Sequence, residues 1–219
     1  MSEEKALRQE LADWAKSMFN RGYSSGGAGN ISAKLPDGNI IVTPTNSSFG
    51  DLDPERLSKL DAEGHWIDGD KPTKEVSMHM AMYRQRPDCR AVVHLHSPWL
   101  TALSCLSGLD SSNCLPPITP YYVMRVGKLP LIQYLPPGDD RIGEEIEKLA
   151  PNHNAVLLSN HGPVVGGKTL RQAFFNAEEL EDTARLYITL RQQGFTTLTE
   201  EQVNELESRY PKKWGTWYG

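Results

Sequence analysis

The turn signals Pro36-Asp37-Gly38 and Asp61-Ala62-Glu63-Gly64, each set between two short apolar runs, constrain this chain more than any other feature. Each reads as a hairpin, the first joining Ile31–Leu35 to Asn39–Thr43 and the second joining Leu57–Leu60 to His65–Ile67. Antiparallel pairing is thus committed early in the chain. Helical periodicity surrounds these hairpins: Leu7, Leu11, Trp14 and Met18 recur ahead of Gly22, which predicts a helix over about 3–21. Further helices are expected over about 74–86, 98–106, 139–149 and 170–191, the last behind Thr169 as N-cap. A final helix opens at Thr199, where Gln202 completes a capping box. Hairpins mixed with helices imply the α/β class, with a mixed, largely antiparallel sheet flanked by helices and not the strict alternation of a Rossmann unit.

A chain of 219 residues, 38% of them hydrophobic, fills one well-cored domain and is short for two, so 1–219 is read as a single domain. Its net charge of -5 offers no field for nucleic acid or an acidic membrane. The N-terminus, Ser2-Glu3-Glu4-Lys5 onward, is charged, and no segment approaches the roughly 18 apolar residues of a membrane span, so the expected location is the cytoplasm. Cys89, Cys105 and Cys114 are odd in number and lack Cys-x-x-Cys spacing, the pattern of reduced, structural thiols.

Ala91-Val92-Val93 ends in His94-Leu95-His96, and a strand places residues i and i+2 on one face, so two imidazoles share one space. A third histidine, in Asn160-His161-Gly162, ends the apolar run Ala155-Val156-Leu157-Leu158. Three such nitrogens suit a divalent transition metal, zinc by default, with room for a carboxylate and a substrate. Glu75 follows Gly69-Asp70-Lys71-Pro72-Thr73-Lys74 at the start of a helix and supplies that carboxylate, as fourth ligand at rest and proton-transfer base during turnover. His79, between Met78 and Met80, reads as a packed histidine, and His65 and His153 as surface residues.

Gly27-Ala28-Gly29-Asn30, Thr43-Pro44-Thr45-Asn46 and Thr73-Lys74 are backbone-rich polar segments able to cradle a phosphate, so the expected ligand is a small phosphorylated molecule. Gly162-Pro163-Val164-Val165-Gly166-Gly167-Lys168-Thr169 also fits the Walker A pattern, but Pro163-Val164-Val165 reads as a short strand and no acidic Walker B strand end is evident. The aromatic run Trp214-Gly215-Thr216-Trp217-Tyr218 suggests docking on a partner subunit or over the site.

Gly29-Asn30-Ile31-Ser32, Thr43-Pro44-Thr45, Pro72-Thr73-Lys74-Glu75, Val93-His94-Leu95-His96 and Asn160-His161-Gly162 occur in this order and at family-like spacing. Over about residues 5–190 the chain therefore resembles the class II, zinc-dependent sugar-phosphate aldolase family, which also holds epimerases, a dehydratase and the adducin head domain. Leu103-Ser104-Cys105-Leu106, Thr119-Pro120-Tyr121-Tyr122-Val123-Met124-Arg125 and Leu135-Pro136-Pro137-Gly138-Asp139 look most like its 3-oxo-tetronate 4-phosphate decarboxylase subgroup. The resemblance implies a class II aldolase-like α/β/α sandwich, one zinc ion per chain on His94, His96 and His161, and Glu75 as acid/base on or near the metal. It also implies Tyr121 as proton donor across a subunit boundary, with Tyr122 its rival, in a homotetramer. Substrate phosphate falls to Asn30, Thr45, Asn46, Thr73 and Lys74. Asn46 stands where many aldolases have Gly and Lys74 where many have Ser, departures that favour the decarboxylase subgroup. The implied reaction turns 3-oxo-tetronate 4-phosphate into dihydroxyacetone phosphate and CO2 through a zinc-stabilised enediolate. The alternatives are a sugar-phosphate aldolase, epimerase or dehydratase of the same family and, more remotely, a non-catalytic adducin-like interaction module.

Overall fold

The computed structural model describes residues 2–210; the aromatic run Trp214–Tyr218 lies outside the described residues. Eight strands form one sheet: β1 Asn30–Lys34, β2 Ile40–Val42, β3 Ser58–Leu60, β4 Trp66–Asp68, β5 Ala91–His94, β6 Leu131–Ile132, β7 Ala155–Leu158 and β8 Gly162–Gly167. Their order is β4-β3-β2-β1-β5-β8-β7-β6, and every pairing is antiparallel except that of β6 with β7. Both expected hairpins are present as β1–β2 and β3–β4. The helices are α1 Glu3–Asn20, α2 Val76–Gln85, α3 Pro98–Ser104, α4 Pro120–Arg125, α5 Arg141–Leu149, α6 Leu170–Leu190 and α7 Glu200–Arg209.

The period-2 alternation of the strands divides the core between two faces. Ile31 and Ala33 of β1, and Ala91 and Val93 of β5, pack with Leu11, Met18, Leu100, Leu103, Phe174 and Leu180 from α1, α3 and α6. Val92, Val156 and Val164 point the other way, against Met78, Met82, Ile142 and Ile146 of α2 and α5. The result is the expected helix–sheet–helix sandwich. Asn30, Ser32 and His94, one residue out of phase with the first set, fall on the α2 face. That phase relation puts polar side chains of two central strands under the start of α2.

Local chemistry sets the ends of the elements. Thr169 caps α6 by accepting from the Gln172 N–H, and Thr199 and Gln202 form the reciprocal capping box of α7. The Walker-like segment is strand β8, buried throughout, and the Lys168 backbone N–H donates to Gln172 Oε1, so no phosphate-wrapping loop exists there. Three elements were not expected from the sequence, the six-residue α4, the two-residue β6 and a single 3-10 turn at Pro54–Arg56. All three cysteines are free, with Cys89 and Cys114 buried and Cys105 exposed. His65 is exposed as expected, bonded to Asp61, whereas His153 is partly buried. Among the described residues, no helix is long and apolar enough to cross a membrane.

Candidate active site

His94 is the last residue of β5, and its Nδ1 donates to the Pro163 carbonyl at 2.8 Å. A carbonyl only accepts, so the His94 proton sits on Nδ1 and the bare Nε2 faces inward. The strand stops at His94, so His96 lies just beyond it, yet the two rings still converge as the His-x-His spacing predicts. Nε2 of His96 is 3.0 Å from Nε2 of His94 and 3.0 Å from Nε2 of His161. Each pair of rings stands edge to face, with centroids between 4.7 and 5.0 Å apart.

His161 follows Asn160, whose φ of 54° turns the chain from β7 into β8. Only glycine serves next: a Cβ on Gly162 would sit 2.2 Å from the Leu95 carbonyl oxygen, so its absence lets β8 begin against the His94–His96 segment. Helix α3 then binds the two histidine segments together. Ser104 takes the His161 N–H on Oγ and the Asn160 N–H on its carbonyl, and Thr101 Oγ1 donates to the His161 carbonyl. At the other end of α3 the buried Glu181 carboxylate accepts from Ser97 Oγ and from the Trp99 and Leu100 N–H groups, anchoring the chain just after His96.

Glu75 is the N-cap residue of α2, one position before the helix instead of inside its first turn. Its side chain caps nothing and turns toward the histidines: Oε2 is 3.6 Å from His94 Nε2 and Oε1 is 3.6 Å from His161 Nε2. Three inward-facing ring nitrogens beside a carboxylate are a donor set for a divalent transition metal, since nothing but a cation accepts all of them at once. Electrostatics agrees. Burial, reinforced by the neighbouring imidazoles, holds His94 well below the ordinary histidine value. Burial also lowers His96 and His161, with Glu75 opposing and the Lys74 ammonium assisting the shift. Neutral imidazoles are the form that donates to a metal.

The phosphate candidates divide into two groups. Thr45 and Asn46 line a polar hollow of about 300 Å³ with Ser47, Ser48 and Arg56, and the carboxylates Asp51, Asp53 and Asp70 share that lining. Asn46 has φ 58°, a left-handed conformation that Gly adopts freely and Asn tolerates, which accounts for the interchange at this position. Thr73 and Lys74 instead adjoin Glu75: Thr73 Oγ1 accepts the Glu75 N–H, and Lys74 runs alongside Gly138. Backbone bonds from Thr45 N–H to the Lys71 carbonyl and from Thr73 N–H to the Thr43 carbonyl tie the two loops into one rim. Asn30 lies deeper, its amide engaged at both ends by Glu75 and His79.

The two tyrosines are separated by burial. Tyr122 is fully buried, its single hydroxyl hydrogen shared between two acceptors, Asn113 Oδ1 at 3.1 Å and the Leu115 carbonyl at 3.3 Å. Tyr121 projects from α4 with 60% of its surface exposed and takes part in none of the contacts around the histidines of its own chain. The sequence reading missed the environment of His79. It is buried as expected, but both ring nitrogens are hydrogen-bonded, to Ser32 and Asn30. The repeat Glu75-x3-His79-x3-Tyr83, one helix face, was the available signal.

The fold is a helix–sheet–helix scaffold carrying a three-histidine group able to hold a metal ion, and residues 9–188 match the model of the Class II Aldolase and Adducin N-terminal domain. The chain belongs to that family. It is 55% identical over 205 residues to the 3-oxo-tetronate 4-phosphate decarboxylase of Escherichia coli K12, covering 94% of this chain and 97% of the relative. An L-fuculose phosphate aldolase of Methanococcus maripaludis is 36% identical over 170 residues, 77% of this chain and 89% of that one. Among solved structures, E. coli YgbL, described as an aldolase/epimerase/decarboxylase, superposes with a TM-score of 0.92 at 53% identity over 94% of this chain and 99% of its own.

Proposed function

We propose that the chain decarboxylates 3-oxo-tetronate 4-phosphate to dihydroxyacetone phosphate and CO2. The observation that carries the choice of reaction is the 55% identity to a protein of that name across nearly the whole of both chains, against 36% to an aldolase. His94, His96 and His161, with Glu75 beside them, would hold one divalent ion per chain, zinc as first choice. When bound, the ion supplies Lewis-acid polarisation of the substrate's C3 carbonyl and C2 oxygen.

The residues then divide the remaining work. Thr45, Asn46, Thr73 and Lys74 line the rim on which the phosphate would rest, with Asn30 at its junction with Glu75. Loss of CO2 breaks the C1–C2 bond and leaves its electron pair on C2, delocalised toward the C3 oxygen as an enediolate. One proton delivered to C2 completes the product. Protonated Glu75, or Tyr121 from a neighbouring subunit, is the donor. The exposure of Tyr121, together with Tyr134 at 59%, supports a homo-oligomer, which we assign as a tetramer with its sites at subunit boundaries.

The test is a coupled assay for dihydroxyacetone phosphate together with CO2 capture, using 3-oxo-tetronate 4-phosphate and, in parallel, L-fuculose 1-phosphate. Stoichiometric CO2 and dihydroxyacetone phosphate from the first substrate support the reading. Turnover of only the second, with an aldehyde as co-product, replaces it with the aldolase reading, because the same enediolate forms when an aldehyde leaves instead of CO2.

A further inference from the structure

Five buried side chains run in a line away from the histidines. Glu75, His79 and Tyr83 are spaced by four on α2 and its N-cap, and Asn30 and Ser32 by two on β1. Four helical residues rise about 6.0 Å and two strand residues about 6.6 Å, so the two sets interleave in register where helix and strand lie side by side. The bonds alternate between elements. Asn30 Nδ2 donates to Glu75 Oε2 at 2.7 Å, Asn30 Oδ1 lies 2.6 Å from His79 Nε2, and Ser32 Oγ lies 2.7 Å from both His79 Nδ1 and the Tyr83 hydroxyl.

The direction of every proton in this line follows from its first member. Glu75 Oε2 accepts from Asn30 Nδ2, so Asn30 presents its NH2 to Glu75 and its oxygen to His79. That oxygen also only accepts, so His79 carries its proton on Nε2. Burial, which pushes His79 down to about 3, keeps the ring neutral, and Nδ1 is therefore a bare acceptor for the Ser32 hydroxyl. Ser32 has then used its hydrogen and accepts from Tyr83. No arrangement with His79 protonated on Nδ1 satisfies Asn30 while Asn30 donates to Glu75.

We infer that His79 is a positioning residue: locked as the Nε2–H tautomer by Ser32 and Tyr83, it fixes the Asn30 amide, and through it the rotation of the Glu75 carboxylate between His94 and His161. His79 touches neither substrate nor the reacting atoms and acts only through Asn30. The inference deepens the functional reading above and rests on its assignment of Glu75 to the site.

The direct test is nitrogen NMR of the metal-free wild-type protein with labelled histidine. His79 should show a protonated Nε2 and a bare Nδ1, and an Nδ1–H tautomer overturns the inference whatever the chain catalyses. Variants test the consequence. His79→Leu should weaken zinc binding by the apo-protein about 10- to 100-fold in a competition titration and lower kcat more than it raises KM, the usual scale for a lost ligand-orienting partner. His79→Gln, whose amide can still donate to Asn30, should recover most of both. A folded His79→Leu protein with wild-type zinc affinity and kcat also overturns it. If wild type binds zinc and shows the tautomer but releases no CO2, the decarboxylase reading fails and the positioning role stands.

Discussion

At the scale of single residues, Glu75 is distinguished from the other carboxylates by what surrounds it: two histidine nitrogens at 3.6 Å, an amide donor on Oε2 and a buried N-cap position that it does not use for capping. Glu75→Gln keeps the volume and the three imidazoles but removes the group that can give and take a proton at neutral pH, so turnover should fall by about 10² or more while metal content stays near one ion per chain. Metal analysis and the dihydroxyacetone phosphate assay on one preparation check this, and near-wild-type turnover would move the proton transfer to Tyr121. His79 supplies a separate prediction about acid stability. Its folded value of about 3 lies below the ordinary histidine value of 6.5, so the unfolded chain binds the extra proton first. Its stabilisation is complete above pH 6.5 and is lost as the pH falls from there toward 3, by at most about 1.4 kcal/mol per pH unit. In melting experiments on apo-protein, wild type should therefore lose more thermal midpoint between pH 7 and pH 5 than His79→Gln does, and equal losses would contradict the assignment.

Among the elements, α3 has the largest influence on the site for its length, because its two ends hold the segments that carry His96 and His161. Glu181→Ala would leave the Ser97 hydroxyl and the Trp99 and Leu100 N–H groups without their acceptor in a buried place, a loss of about 2–4 kcal/mol in stability. Because Ser97 adjoins His96, zinc affinity should fall with it, and calorimetry plus a zinc titration would reveal both; an unchanged midpoint would rule out the anchoring role. None of this was legible beforehand, since a Glu in the middle of a helical pattern looks like any solvent-facing acid. What the sequence did carry was periodic or capped: α1, α6, the Thr199–Gln202 box and both hairpins appear where the turn and period signals put them. The three histidines were equally visible, as residues at or just beyond the ends of apolar strand runs. Helix α4 and strand β6 were not, because six residues opened by Pro120 and a two-residue pairing are too short for a period to register. The line from Tyr83 to Glu75 escaped for another reason: it depends on which strand lies under α2, and β1 is more than forty residues away in sequence.

For the whole molecule, the question is how Tyr121 could serve a reaction whose other participants it does not touch within its own chain. Its exposure on α4, while the adjacent Tyr122 is sealed in the core, marks a residue directed outward, and the proposed tetramer gives it a neighbouring site to serve. Tyr121→Phe and Glu75→Gln should then each be nearly inactive alone, yet complement one another when mixed. In an assembly built at random from equal amounts of the two chains, a site that draws Glu75 from one subunit and Tyr121 from the next inherits both intact groups in about one quarter of cases. The experiment is to unfold and co-refold the two variants, confirm the assembly size by light scattering, and measure dihydroxyacetone phosphate formation. Activity returning to about a quarter of wild type means the site is shared between chains, because two defects within a single chain's site cannot repair each other. Mixed assemblies as inactive as their parents would overturn the sharing of one site between subunits.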